Sequence, residues 1–266
     1  EAAREFLRLR DILWEWQICC SGFSRRDFTR KGFMNRDTIK YIAIFTMLLN
    51  HIANIFLEQG TLLWEIFVDI GYFTAITMCY FLVEGYYYTR SRKNYAGRLL
   101  VFAVLSQIPY SMAFRDGQLN MLFTLLLCLA VPELMERPMA EWEHRISLVL
   151  IFATSFFCCW KLIAPLGVYL FVRYRGRKKE LAKSYVIVAI LFMILNFSTY
   201  ISAHGIFKAA CLACGNGLGI ALSGIILLCY YNGNQMTKFR KWNRWFFYIF
   251  YPVHLLILCL IRYMIK

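Results

Sequence analysis

Residues 41–57 read Tyr41-Ile42-Ala43-Ile44-Phe45-Thr46-Met47-Leu48-Leu49-Asn50-His51-Ile52-Ala53-Asn54-Ile55-Phe56-Leu57, with a charged cluster, Asp37 to Lys40, at the mouth of the run. About 20 residues at 1.5 Å each span roughly 30 Å, so an apolar run of this kind crosses a bilayer. Eight further runs follow, at about 62–83, 97–114, 119–135, 146–160, 162–172, 184–203, 206–231 and 245–265. They use almost all of the 266 residues and leave no length for a large soluble domain. Hydrophobic residues make up 60% of the chain, against roughly 45–50% in a soluble domain. The patterning predicts an all-α polytopic membrane bundle of about nine transmembrane helices, within a range of eight to ten. The fifth and sixth runs are short and parted only by Lys161, with Pro165 and Gly167 near the start of the sixth. They read either as two thin spans or as a re-entrant hairpin facing a cavity.

Residues 1–36 form a separate segment. Phe6, Leu7, Leu9, Ile12, Leu13, Trp14 and Trp16 alternate with Arg4, Arg8 and Arg10, which suits a helix lying in the membrane interface ahead of a basic linker. No small-residue cleavage site follows a short isolated apolar core there, so no signal peptide is expected. The transmembrane domain is read as 37–266.

The net charge of +14 raises the question of nucleic acid. The cations instead cluster between apolar runs: Arg90, Arg92, Lys93 and Arg98; then Arg173, Arg175, Arg177, Lys178, Lys179 and Lys183; then Lys238, Arg240, Lys241 and Arg244. Positive clusters on alternate connections follow the positive-inside rule and serve anionic lipid headgroups. They predict a cytoplasmic N-terminus, an outward C-terminus and no nucleic-acid partner. The ten cysteines fall mostly inside apolar runs, where a thiol acts as a small hydrophobe. Cys211 and Cys214 have CxxC spacing, but His204 is the one further ligand type close in sequence, so no metal site is expected.

Ionisable side chains at membrane depth are expensive and mark functional positions. Of four histidines, His51 and His254 lie within spans. Histidine titrates near neutral pH, which makes His51 the natural general-base candidate and His254 the second. Asn50 precedes His51 by one residue and therefore points about 100° away round the helix. Lys40 lies eleven positions, or about three turns, before His51 and shares its face. Pro252 frees a carbonyl that His254 or a water can bond. Glu65 and Asp69 lie four apart on one face. Glu84 closes the second span beside Arg90 and Arg98, where cations and tyrosines either serve lipid headgroups or clamp a phosphate-rich donor such as a coenzyme A thioester. Gln107, Pro109 and Asn196 read as packing groups, and Gly215-Asn216-Gly217-Leu218-Gly219 as a break in the eighth span.

Four blocks together resemble the TraX family, membrane proteins known for acetylating the N-terminus of conjugative pilin with acetyl-coenzyme A. They are Asp37-Thr38-Ile39-Lys40 through His51-Ile52; Phe81 through Arg90 with Tyr95-Ala96-Gly97-Arg98 and Ser106-Gln107-Ile108-Pro109; Tyr231-Asn232-Gly233; and Phe247 through Leu255. The resemblance implies a multi-pass protein of the bacterial inner membrane that moves an acetyl group from acyl-CoA to an amine or hydroxyl of a pilin-like peptide or envelope glycan. It implies His51 as catalytic base with Asn50 and His254 in the catalytic group. It implies Asp37, Lys40, Glu84, Arg90 and Arg98 on the donor side, with acetyl-CoA as donor substrate and no metal. Two departures stand out. Asn50 replaces the Asp that many members carry before the histidine, and Ala164-Pro165-Leu166-Gly167 stands where an Asp-Tyr-Gly-like element is expected. Either departure suits a different acceptor, or a non-enzymatic component of pilus or envelope assembly. A small-solute transporter is disfavoured because the chain shows no internal repeat.

Overall fold

The computed structural model of the chain describes residues 32–236, 238 and 240–265. The interfacial segment expected over 1–36 lies mostly outside them. The described chain is all-helical. In order the helices are α1 (Arg36–Phe56), α2 (Leu62–Tyr88), α3 (Arg92–Phe114), α4 (Met121–Cys128), α5 (Ala130–Glu136), α6 (Glu141–Thr154), α7 (Ile163–Arg173), α8 (Lys178–Tyr200), α9 (Ile206–Ile225) and α10 (Arg240–Ile265). A 3₁₀ turn, Ser155–Phe157, follows α6, and a π-helical turn, Ile226–Tyr230, extends α9.

Side-chain oxygens start the first four helices. Asn35, Thr61, Ser91 and Asn120 each accept a hydrogen bond from a backbone N–H of the first turn, satisfying donors that have no helical partner. Arg115 ends α3 in a left-handed conformation at φ 55°.

Six helices among the described residues are long and apolar enough to cross a membrane: Arg36–Phe56, Leu62–Tyr88, Arg92–Phe114, Lys178–Tyr200, Ile206–Tyr230 and Trp245–Ile265. The other three expected spans, 119–135, 146–160 and 162–172, are shorter pieces, which corrects the count of nine full-length helices. Helix α6 has 14 residues and α7 has 11. At 1.5 Å per residue these reach roughly 21 and 17 Å, and α4 with α5 about 24 Å. All three pieces start from or return to one end of the bundle. There Met34 pairs with Tyr231, Arg92 pairs with Glu133 and Glu136, and the Arg175 guanidinium lies 3.8 Å from the Tyr87 ring centroid. This is the basic end. The apolar run over 146–172 thus turns back toward the basic end instead of forming two full-length spans.

At their inner tips the short pieces meet in irregular backbone. Leu119 N–H donates to Phe157 C=O, and Cys159 N–H donates back to Leu119 C=O, both at 2.9 Å. Asn120, wholly buried, donates to Ala103 C=O and to Gln107 Oε1, and its Oδ1 accepts from Leu122 N–H. Gln107 in turn donates to Gln118 C=O at 2.9 Å. Non-helical backbone inside a bilayer survives only when its polar groups are satisfied by protein or water, and Gln107 with Asn120 do that here.

The centre of the bundle is α2, whose buried residues include Phe73, Ile76, Cys79, Phe81 and Leu82. Helix α9 lies hard against it. A Cβ on Gly219 would collide with Asp69 C=O and Phe73 N, both backbone. Asn216, expected to break the eighth span, instead sits inside continuous α9 and donates to Asp69 Oδ1 at 2.6 Å, while Tyr200 donates to Asn216 Oδ1. Asp69 therefore ties α2, α8 and α9 together. The glycines around Asn216 allow close approach, and the surrounding helices hold the helix that local propensity would weaken.

Gly219→Ala must push α9 off α2 and is expected to destabilise by about 1–3 kcal/mol. Gly97→Ala, at a helical position where a Cβ meets nothing within 4 Å, is expected to stabilise by up to about 1 kcal/mol. Melting of the two variants in detergent, followed by size-exclusion elution, checks the difference.

Candidate functional site

Helix α1 carries His51 about 22 Å along its axis from Arg36, at 1.5 Å per residue. Its ring lies edge-on to Phe114 at the end of α3, at 5.1 Å between centroids, and near Tyr251 of α10. His51 Nδ1 lies 2.7 Å from His254 Nε2, with the two rings within 9° of parallel. Both residues are buried, at 9% and 4% exposure. His254 Nδ1 is 2.8 Å from Phe250 C=O. Pro252 deprives Tyr248 C=O of its helical donor, yet the histidine bonds Phe250 instead, which corrects the carbonyl expected for it.

These contacts fix the protons. A carbonyl only accepts, so the His254 hydrogen is on Nδ1 and its Nε2 holds a lone pair. His51 Nδ1 must then donate to that lone pair, which leaves His51 Nε2 unprotonated. The pair is satisfied while neutral. A buried neutral donor–acceptor pair avoids the desolvation cost of a carboxylate at this depth.

Asn50 does not join the pair. Its Nδ2 donates to Val68 C=O at 3.2 Å, and its side chain packs where α2 carries Gly71. It serves the α1–α2 contact, as its position one residue away on the helix requires.

The residues expected on the donor side form a second group at the basic end. Lys40 Nζ lies 5.7 Å from the Phe81 ring centroid and 5.0 Å from that of Phe247. Asp37 Oδ2 accepts from Met236 N–H at 2.7 Å, fastening the chain before α10 to the first turn of α1. Glu84 accepts from Tyr231 Oη at 2.7 Å and lies 3.9 Å from Arg36 Nε. Burial and the Glu84 carboxylate push the Tyr231 phenol up, so it stays a donor. Arg98 stacks over Tyr95 at 5.8 Å. The Nε groups of Arg36 and Arg98 are both buried without a hydrogen-bond partner among the described residues. Arg90 stands apart, exposed, and makes no ion pair with a described residue.

Lys40 and His51 both face α10, through Phe247 and His254. Their positions on α1 put them roughly 16 Å apart along the axis. Two contacts had no local sequence signal. Tyr41 Oη donates to Asn243 Oδ1 at 2.9 Å across 202 positions, and Arg36 reaches Glu84. Only the tertiary fold brings these together.

The vicinal Cys158 and Cys159 lie at the tips of the short helices. Cys158 is buried and Cys159 half-buried there, with Thr124 Oγ1 donating to Cys159 C=O, which suits inert packing. Cys211 and Cys214 are exposed free thiols on α9.

Removing either ring leaves the other buried and unpaired. His51→Ala and His254→Ala are therefore expected to be non-additive in thermal stability, with a coupling of about 0.5–3 kcal/mol. A double-mutant cycle in nanodiscs measures it, and strictly additive losses would show that the rings are not bonded.

The chain is 32% identical to the probable fimbrial assembly protein FimC, serogroup H1, of Dichelobacter nodosus, across 83% of this chain and 93% of that one. No solved structure matches it. The TraX protein family model matches residues 35–262, which include the histidine pair and the residues of the basic end, and the chain belongs to the TraX family.

Proposed function

We propose that the protein is a membrane acetyltransferase of the pilus or envelope assembly machinery. On this reading it takes the acyl group from acetyl-coenzyme A at the basic, cytosolic end. It passes that group to an amine of a pilin-like peptide, or to a hydroxyl of an envelope glycan, arriving from the outer side. The observation that carries the reading is the neutral pair in which His51 Nδ1 and His254 Nε2 stand 2.7 Å apart.

In the proposed step, the acceptor nitrogen or oxygen attacks the thioester carbonyl carbon while His51 Nε2 takes its proton. The tetrahedral intermediate collapses, the C–S bond breaks, and the coenzyme A thiolate leaves with the proton that His51 returns. While His51 is an imidazolium, its Nδ1–H bonds to His254 Nε2 and shares the charge with a second ring. His254 then does the orienting work that a carboxylate does beside many catalytic histidines. Asn50 in place of Asp is consistent with such an arrangement, since no buried anion is needed. Lys40, Arg36 and Arg98 supply cations for the donor phosphates, with Asp37 and Glu84 holding the frame around them.

A second reading is favoured by the name of the relative, a fimbrial assembly protein. On that reading the chain scaffolds assembly without turning over a thioester.

Thiol release from acetyl-coenzyme A in nanodiscs, with an envelope extract as acceptor, separates the two. The proposal expects His51→Ala to lower kcat by about 10²–10⁴, the range for a lost general base. It expects His254→Ala to lower kcat by a smaller factor. Undiminished turnover in correctly folded His51→Ala would move the base elsewhere. Absence of donor binding and turnover in the wild-type protein would favour the scaffold.

A further inference from the structure

Next to the cation group at the basic end lies a cavity of about 480 Å³ lined by Tyr41, Met236, Trp242 and Asn243. Its volume is within the range of small-molecule sites, roughly 300–1,000 Å³. Phe247 joins the two places, since Lys40 Nζ lies 5.0 Å from its ring centroid and the Tyr41 ring 5.1 Å from it. The walls are of two kinds. Trp242, 66% exposed, and Tyr41 offer aromatic faces, and each also packs on Phe246. Asn243 is polar and 4% exposed.

The bonding of that amide is informative. Its Oδ1 accepts from Tyr41 Oη at 2.9 Å, which fixes the amide's orientation. Its Nδ2 then faces Met236 Sδ at 3.6 Å. A thioether is among the weakest acceptors a protein offers. A buried amide N–H held on so poor a partner is ready to exchange it for a ring nitrogen. Aromatic faces beside an oriented amide are the features that recognise a purine, because every base has a π-face and asparagine reads the adenine edge. Aromatic anchoring at the bilayer surface would explain Trp242 alone. It does not explain a buried asparagine turned toward sulfur.

We infer that this cavity takes the adenine ring of the donor nucleotide, stacked on Tyr41 and Trp242, with Asn243 Nδ2 donating to N1, the ring nitrogen that carries a proton in hypoxanthine, and with the phosphates on the adjoining cations. The inference rests on the acyl-coenzyme A reading and adds to it the subsite that tells this donor from other thioesters. The donor phosphates would meet Lys40 and the buried Nε groups of Arg36 and Arg98, which make no hydrogen bond among the described residues. From Lys40 to His51 is roughly 16 Å along α1, comparable to the reach of an extended pantetheine arm. A nucleotide at Tyr41 therefore places its thioester near the depth of the histidine pair.

The test titrates coenzyme A, adenosine 3′,5′-bisphosphate and inosine 3′,5′-bisphosphate into the full chain in zwitterionic nanodiscs, by calorimetry. The wild-type protein should bind coenzyme A and prefer the adenosine bisphosphate to the inosine one. Trp242→Ala should weaken coenzyme A binding tenfold or more. Asn243→Ala should erase the preference between the two bisphosphates. Size-exclusion elution and thermal melting like those of the wild type verify that Trp242→Ala and Asn243→Ala fold, and the wild-type protein should also turn over S-acetylpantetheine, which lacks the nucleotide. Wild-type affinity for coenzyme A in both variants would overturn the inference and leave the acyltransferase reading standing. So would an absent adenosine preference in a wild-type protein that binds coenzyme A. A wild-type protein that binds no coenzyme A, and turns over neither thioester, would remove the acyltransferase reading itself and this subsite with it.

Discussion

A hydrogen bond between two uncharged imidazoles sets the terms for the rest of this bundle. An ion at the depth of His51 would demand a partner of opposite sign or a water path. Two neutral rings demand only that each proton have one place to go. Phe250 C=O fixes the first proton, the first ring fixes the second, and His51 Nε2 is left with a lone pair. That geometry needs α1 and α10 side by side with their inner faces in register. The contacts at the basic end supply the register, through Asp37 to Met236, Tyr41 to Asn243, and Lys40 between Phe81 and Phe247. The aromatic surroundings of Phe114, Tyr251 and Phe250 exclude water from the pair and keep its hydrogen bond strong.

Much of this was legible in the sequence. Apolar runs and alternating cation clusters give a helical membrane bundle, because hydrocarbon leaves few other ways to satisfy a backbone. His51 and His254 stood out for the same reason: a polar ring in an apolar run must have a use. Their mutual contact was not legible. It joins positions 203 apart in sequence, and no periodicity carries information of that range. The three shorter pieces are only partly legible, for a related reason. Runs such as 146–160 are apolar enough for a span, but composition does not record where a chain turns back. Gln107 and Asn120 carried that information. Gln107 reads as a packing group and Asn120 carries no signal of its own, whereas in the fold both satisfy the backbone of the turn. Asn216 shows the converse error. Local propensity reads Gly215 to Gly219 as a break, while the close fit of α9 on α2 holds it helical.

Asn50 illustrates how sequence adjacency misleads at a site. Its neighbour His51 looks toward α10, while Asn50 looks toward Val68 and Gly71 of α2. The helix repeat separates adjacent residues by about 100°, so Asn50 does not meet the histidine ring, whose hydrogen-bond partner comes from another helix. His254 takes that place.

The shorter pieces have a consequence for the surrounding lipid. Their tips, at Leu119 and Phe157–Cys159, end well below the opposite end of the bundle, and Phe156 and Phe157 are exposed there. Hydrocarbon about 30 Å thick cannot match helices of roughly 17–24 Å without thinning or leaving a gap. The bilayer beside this sector is therefore expected to be dimpled from the side opposite the basic end. Such a dimple brings headgroups and water down toward the depth of the histidine pair. Lipid composition then becomes a control on access, with thicker, more ordered membranes closing what thinner ones leave open.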